Sequence, residues 1–251
     1  MHSRTRFFPA VALGLLILVA VPEIRTALAG LEYFRVQEVE VLGMENLTHG
    51  AVLSQAALRP QANVWDDLSA TKARLAAHPL VRTVEVRRDL PDGLIIELEE
   101  RRPVAFLPAP VLTPVDADAR LLPMPEVARR LDLPLLQASL DAPGEPVELT
   151  PAQLRRLTSE LARLREMDPA SFALVSEASI DAVGDIVLHL GEPRVAIHYR
   201  APLAPDHLRE ASHVLRDALR RTPGRIPGRV DLRFQGQVVV HFVDTRANQG
   251  S

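Results

Sequence analysis

Eight histidines, 32 carboxylates and no cysteine bound the chemistry open to this chain. His189 and His198 fall on neighbouring predicted strands, where they could face each other as the start of a metal site or an acid–base pair. Zinc needs three or four convergent ligands, and the other histidines are scattered singles. His207 and His213 lie six residues apart on a predicted helix, about 240° around its axis, so they cannot chelate together. Asp116 and Asp118 have the oxygen chemistry for calcium, but their loop lacks the glycine and the distant glutamate of an EF-hand. A tight polar turn is the expectation there. Asn46-Leu47-Thr48 fits a glycosylation sequon, which a turn at Asn46 before a helix cap at Thr48 explains without a sugar. No H-E-x-x-H, G-x-S-x-G, G-x-G-x-x-G or phosphate-loop motif occurs. The absence of cysteine removes disulfides, thiolate metal sites and cysteine nucleophiles. The net charge of -3 gives no reason to expect nucleic acid as a partner. We therefore expect no catalytic residue, metal, cofactor or small-molecule substrate.

The elements that would carry these residues come in two groups. "RVQEVEVLG" alternates Val39 and Val41 against Glu38 and Glu40, a half-buried strand ended by Gly43. Thr48 can cap a helix carrying Val52, Leu53, Ala56 and Ala57, stopped by Pro60. Asp67 can cap a second helix through Ala77. "LVRTVEVRR" and "LIIELEE" are two alternating strands joined by "LPDG", with Gly93 free to take a positive φ. The order is β-α-α-β-β. Seven prolines between 103 and 134 then predict short strands and loops. "TPAQLRRLTSELARLREM" is the clearest helix. Thr150 is its cap, Pro151 stands at its first position, Gln153 completes a capping box, and Leu154, Leu157, Leu161 and Leu164 form a core stripe. Three strands follow between Ser176 and Tyr199, then a helix over about Pro205 to Arg221, then "GRVDLRFQGQVVVHFVD". That last stretch reads as strand, turn at Gln235-Gly236, and strand. The question it raises is whether the final strand closes this chain's own sheet or offers an edge to another backbone.

The N-terminus holds a different signal. Arg4 and Arg6 precede an uncharged run from Phe7 to Val21, in which Phe7, Phe8, Leu13, Leu15, Leu16, Ile17, Leu18, Val19 and Val21 are the anchoring residues. At 1.5 Å per residue the run covers about 22 Å, short of the roughly 30 Å hydrocarbon core. One reading is a cleaved signal peptide with an A-x-A-like site at Ala27-Leu28-Ala29. The other is an uncleaved anchor that continues past Pro22 toward Leu31. The anchor is favoured, because the cleavage site lies well beyond the apolar run. Both readings leave the positive end in the cytoplasm and export the rest.

The β-α-α-β-β unit opens with "FRVQEVEVLGMENLTHGAV" and closes with "HPLVRTVEVRRDLPDGLIIELEERRPVAF", and it resembles a POTRA domain. The anchor, the "ERRPVA" exit, the "VDADARLLP" hairpin, the "LPLL" element and the terminal "VDLRF" are together similar to the FtsQ/DivIB family of bacterial division proteins. The resemblance covers nearly the whole chain. It implies an α+β protein with an N-terminal transmembrane helix, a βααββ POTRA domain, and a mixed α/β domain with a curved, antiparallel-rich sheet and two helices. The implied boundaries are a cytoplasmic tail at 1–6, a signal anchor at 7–30, POTRA at 34–102, an FtsQ-type β domain at 103–244 and a disordered tail at 245–251. The tail at 1–6 is too short for a folded cytoplasmic contact.

The implied role is a non-enzymatic scaffold in the inner membrane at the division septum, a single-pass type II protein linking early to late division components. Its implied partners are FtsB- and FtsL-like coiled-coil proteins, added as a strand to the C-terminal edge. The family's D-L-R-aromatic pattern matches Asp231, Leu232, Arg233 and Phe234. By the resemblance, Arg233 pairs with an acidic partner, Phe234 stands where tyrosine is usual, and Gln235, Gly236, Gln237, Val238, Val239 and Val240 supply the backbone edge. The rival is a POTRA-containing export or outer-membrane assembly component with a cleaved signal peptide. It predicts several POTRA units or a β-barrel, and no internal repeat is seen.

Overall fold

The computed structural model describes residues 31–108, 111–137, 149–191, 194–222, 225–234 and 236–243; for Pro205, Asp206, Leu208, Arg209, Ser212 and Ile226 it describes the backbone alone. The expected anchor at 7–30 and the tail at 245–251 lie outside the described residues. Among the described residues no helix is long and apolar enough to cross a membrane. The chain divides into two compact units between Arg101 and Arg102.

The first unit follows from its alternating strands. After a 3-10 turn at Glu32–Phe34, strand β1 (Glu38–Leu42) leads to helices α1 (His49–Ala56) and α2 (Ser69–Ala76), then to strands β2 (Val81–Asp89) and β3 (Gly93–Glu100). The sheet order is β1-β3-β2, with β1 parallel and β2 antiparallel to β3. The period-2 pattern places Val41, Val84, Ile96 and Leu98 on one face, packed against Val52, Ala56 and Leu75 from the helices. Thr48 caps α1 by accepting from Ala51 N. Asp67 does not itself cap α2; Leu68 holds that place, and the Asp67 carboxylate receives the N–H and hydroxyl of Ser69 one residue further on.

The carboxylate of Glu100 closes this unit. The residue is 4% exposed. It accepts the backbone N–H groups of Glu45, Asn46 and Leu47 at 2.8 to 3.0 Å, and Asn46 Nδ2 at 3.0 Å. The Asn46 amide is therefore occupied in holding the turn before α1. Burial pushes the Glu100 carboxyl up, but the bonds from Leu47, Glu45 and Asn46 outweigh it and hold the group below its ordinary value.

Two glycines act here for different reasons. Gly93 does not take a positive φ, contrary to expectation; a Cβ there would lie 2.9 Å from the Asp89 carbonyl oxygen, so close approach is what demands glycine. Gly43 has φ +83°, and its Cβ would fall 1.9 Å from the Leu98 carbonyl oxygen. Gly43→Ala is expected to destabilise the first unit by about 2 kcal/mol, from left-handed strain together with a clash against rigid backbone. Chemical denaturation followed by circular dichroism checks it.

The second unit is a mixed eight-stranded sheet, counted among the described residues. Its strands are β4 (Pro103–Leu107), β5 (Thr113–Asp116), β6 (Leu135–Leu136), β7 (Val175–Ile180), β8 (Ile186–Leu190), β9 (Ala196–Tyr199), β10 (Ile226–Asp231) and β11 (Val239–Val243), in the order β11-β10-β9-β8-β7-β6-β4-β5. The pairings β4–β6, β6–β7 and β9–β10 are parallel and the other four are antiparallel. The sheet is thus more evenly mixed than antiparallel-rich. Pro114 sits in edge strand β5, where a missing N–H costs least.

Four helices accompany this sheet among the described residues: the short α3 (Pro125–Ala128) and α5 (Pro169–Phe172), and the long α4 (Pro151–Met167) and α6 (Pro205–Arg221). The Thr150–Gln153 capping box starts α4 as its sequence demands. Leu157, Leu161 and Leu164 are buried in the core with Ala178, Ile180, Ile186, Leu188, Ile197 and Val230, and Leu154 packs against it. The leucine stripe is core.

Candidate partner-binding edge

β10 and β11 form a hairpin pairing Val230 with Val240 and Asp231 with Val239. Its connection carries Phe234, Gly236 and Gln237, with Gln237 N donating to Phe234 O at 3.3 Å and Gly236 at φ +68°. Glycine is favoured at such an angle. The expected edge at Gln235–Val240 is therefore displaced. Gln235 lies outside the described residues, Gly236, Gln237 and Val238 belong to the connection, and only Val239 and Val240 fall within β11. The strand runs on through His241, Phe242 and Val243, because the register is set by pairing with β10 and restarts only after the turn. β11 ends the sheet: among the described residues β10 is its one neighbour. Val238 and Val240 pack on the core, while Val243 and Phe234 are 58% and 53% exposed.

Arg233 is engaged inside this chain. Its Nε and Nη2 donate to Asp231 at 2.9 and 2.6 Å in a two-pronged pair, its backbone N donates to the same carboxylate at 3.1 Å, and Nη1 reaches Asp185 at 3.4 Å and Asp181 at 4.0 Å. Arg229 approaches Asp231 at 3.4 Å and Arg200 approaches Asp185 at 3.5 Å. Three arginines thus meet three buried carboxylates at the end of the sheet where the hairpin turns. Hydrogen bonding from Arg233 outweighs burial and pulls the Asp231 carboxyl down to about 2. The same bond to Asp231 raises the Arg233 guanidinium above its ordinary range. Asp181 Oδ1 in turn receives the N–H groups of Val183 and Asp185, which fixes the β7–β8 turn. The cluster therefore ties the hairpin loop to a turn 48 residues away in sequence.

Sequence reading did not single out Asp181 or Asp185. Their signal is "IDAVGD", legible as a turn, with nothing local to indicate the cation.

The other candidate residues do not converge. His189 stands opposite Ala196, and His198 stands opposite Val187. They share a sheet face but are diagonal neighbours rather than a facing pair. Among the described residues no group of three His, Asp or Glu side chains could hold a metal ion. Asp116 Oδ1 accepts the backbone N–H groups of Asp118 and Arg120, so the acidic pair builds the hairpin tip.

A profile of the POTRA domain, FtsQ-type, matches residues 34–101. The cell division protein FtsQ of Syntrophotalea carbinolica is 28% identical over 160 residues, covering 63% of this chain and 57% of that protein. The FtsQ of Myxococcus fulvus is 30% identical over 154 residues, 59% of this chain and 53% of its own. That of Koribacter versatilis is 25% identical over 217 residues, 81% of this chain and 59% of its own. The chain spans just over half the length of these curated relatives.

Proposed function

We propose a function on the ground that this chain belongs to the FtsQ/DivIB family: it is a non-enzymatic scaffold of bacterial cell division. In this reading residues 7–30 anchor it once in the inner membrane with the N-terminus cytoplasmic. The two units lie outside the cytoplasm at the septum and link early to late division components. FtsB- and FtsL-like coiled-coil proteins add a strand to the outer side of β11. The observation that carries the reading is the terminal position of β11 in the sheet order, because a row of backbone donors and acceptors gives main-chain affinity to an extended segment. The ladder offered is Val239–Val243, with exposed Phe234 beside it, and Arg233 serves to set the hairpin.

A proline walked along Val239, Val240, His241 and Phe242 tests this. In an antiparallel edge strand, alternate N–H groups face the neighbour or point away. Proline at an outward N–H removes a donor from the visitor alone; at an inward N–H it also breaks the bond to β10. The expected result, in pull-downs from membranes read by mass spectrometry, is at least about tenfold loss of the FtsB-like partner at alternate positions with melting temperature retained. Capture that is unchanged throughout, or that falls only where the fold is lost, would sink the strand-addition mechanism.

A further inference from the structure

The end of the first unit where β1 begins carries exposed apolar and aromatic surface. Leu31 is 51% exposed, Tyr33 70% and Leu90 55%. The Tyr33 ring meets Phe34 edge-on at 5.2 Å between centroids, and Phe34 meets Trp65 in the same way at 5.9 Å. Backbone bonds fix these segments together: Val64 N donates to Phe34 O at 3.0 Å, and Asn63 Nδ2 donates to Leu31 O at 3.0 Å. Gln37 N donates to Asp92 O at 2.9 Å, which brings the β2–β3 turn bearing Leu90 to the same end. Two of the three bordering arginines are paired with carboxylates. Arg35 pairs with Glu32, Arg59 pairs with Asp66, and Arg88 donates to the carbonyls of Val64 and Asp66. An exposed tyrosine with its polar tip, backed by half-buried Phe34 and Trp65, with exposed leucines and bordering arginines, is a set of side chains that settles where lipid headgroups meet acyl chains.

We propose that this end of the first unit, with Leu31, Tyr33 and Leu90 around the Phe34–Trp65 pair, rests in the headgroup layer of the membrane. The inference depends on the anchor reading above. As a helix, residues 7–30 would measure about 36 Å, against a hydrocarbon core of about 30 Å. Leu31 follows directly, so it emerges at headgroup depth. Tyr33, two residues on, lies at most about 7 Å further. The patch is therefore delivered to the bilayer surface by the chain's own covalent path. Seating it there restricts the first unit to a narrow range of tilts, where a bare tether would leave it free to swing.

Trp65 is the one tryptophan in the sequence, so its fluorescence reports on this site alone. The full-length chain is reconstituted into phosphatidylcholine vesicles that carry a nitroxide either on the headgroup or deep in the acyl chain. Flotation on a density gradient after alkaline washing reports the anchor independently. The expected result is a floating chain whose Trp65 emission is quenched at least twofold more by the headgroup label than by the deep label, with the difference abolished in a Leu31→Ser/Tyr33→Ser variant that still floats. A floating chain with no preference for the headgroup label overturns the docking and leaves the anchor standing; this is also the outcome if the patch serves a protein partner instead. A chain that does not float overturns both.

Discussion

Arg233→Ala is expected to lower the unfolding free energy of the second unit by about 3 kcal/mol. The variant leaves Asp231, 3% exposed, with the backbone N–H of residue 233 and the longer contact of Arg229, and Asp185, 5% exposed, with the longer contact of Arg200. Removing one partner from a fully buried ionic group costs about 3–5 kcal/mol, and the two remaining arginines place this case at the lower end. For a unit of this size the shift is about 6–12 °C in melting temperature. Arg233→Lys retains the charge but not the fork that grips both Asp231 oxygens, so about half of the loss is expected. Scanning calorimetry of the three proteins distinguishes them. The acid limb is a second readout. Asp231 is depressed from 3.8 to about 2, so its contribution is complete above about pH 4 and is lost as pH falls toward 2. The parent should therefore lose stability in that window, and the alanine variant, having already lost the pair, should lose less there. For the same reason, lost partner capture in an Arg233 variant is not by itself a sign of a lost intermolecular ion pair.

Glu100→Ala is expected to cost the first unit about 3 kcal/mol. Three backbone N–H groups at half-buried or exposed residues lose their acceptor together; an orphan shielded from water costs about 1–3 kcal/mol, and water recovers part of that here. Glu100→Gln retains one acceptor oxygen and should fall between the two. Hydrogen exchange at Glu45, Asn46 and Leu47 is the direct measurement, and protection there that survives in the alanine variant would overturn the assignment. The pH sign matches that of Asp231: the carboxyl is held below its ordinary 4.5, so its stabilisation is present above that value and drains away as pH falls through the lower, folded one.

Local patterns were legible and long-range pairings were not. Alternation of Val39 and Val41, and of Val84 and Val86, identified strands because a half-buried sheet imposes a period of two on any sequence. The box at Thr150 and Gln153 identified a helix start because both bonds close within four residues. The clamp of Glu100 on residues 45–47 had no such marker, since its partners are backbone groups more than fifty residues away. The ionic cluster around Arg233 was hidden in the same way. The turn at Gln235-Gly236 was legible, but the ladder beyond it begins only at Val239, because its first rung is set by pairing with Asp231 rather than by the start of the apolar run.

Gly228 has an effect that reaches past its own position. The pairing of β10 with β11 slips between Pro227 and Arg229, and a Cβ at Gly228 would come within 2.3 Å of a Val243 methyl. The extra residue belongs to β10, so the bend lies in the strand that backs the edge, and the local twist of the β10–β11 pair is increased there. A partner strand of the kind proposed would pair best with a backbone that follows the added twist of this hairpin, and the same twist makes a flat edge-to-edge stack of two copies less favourable.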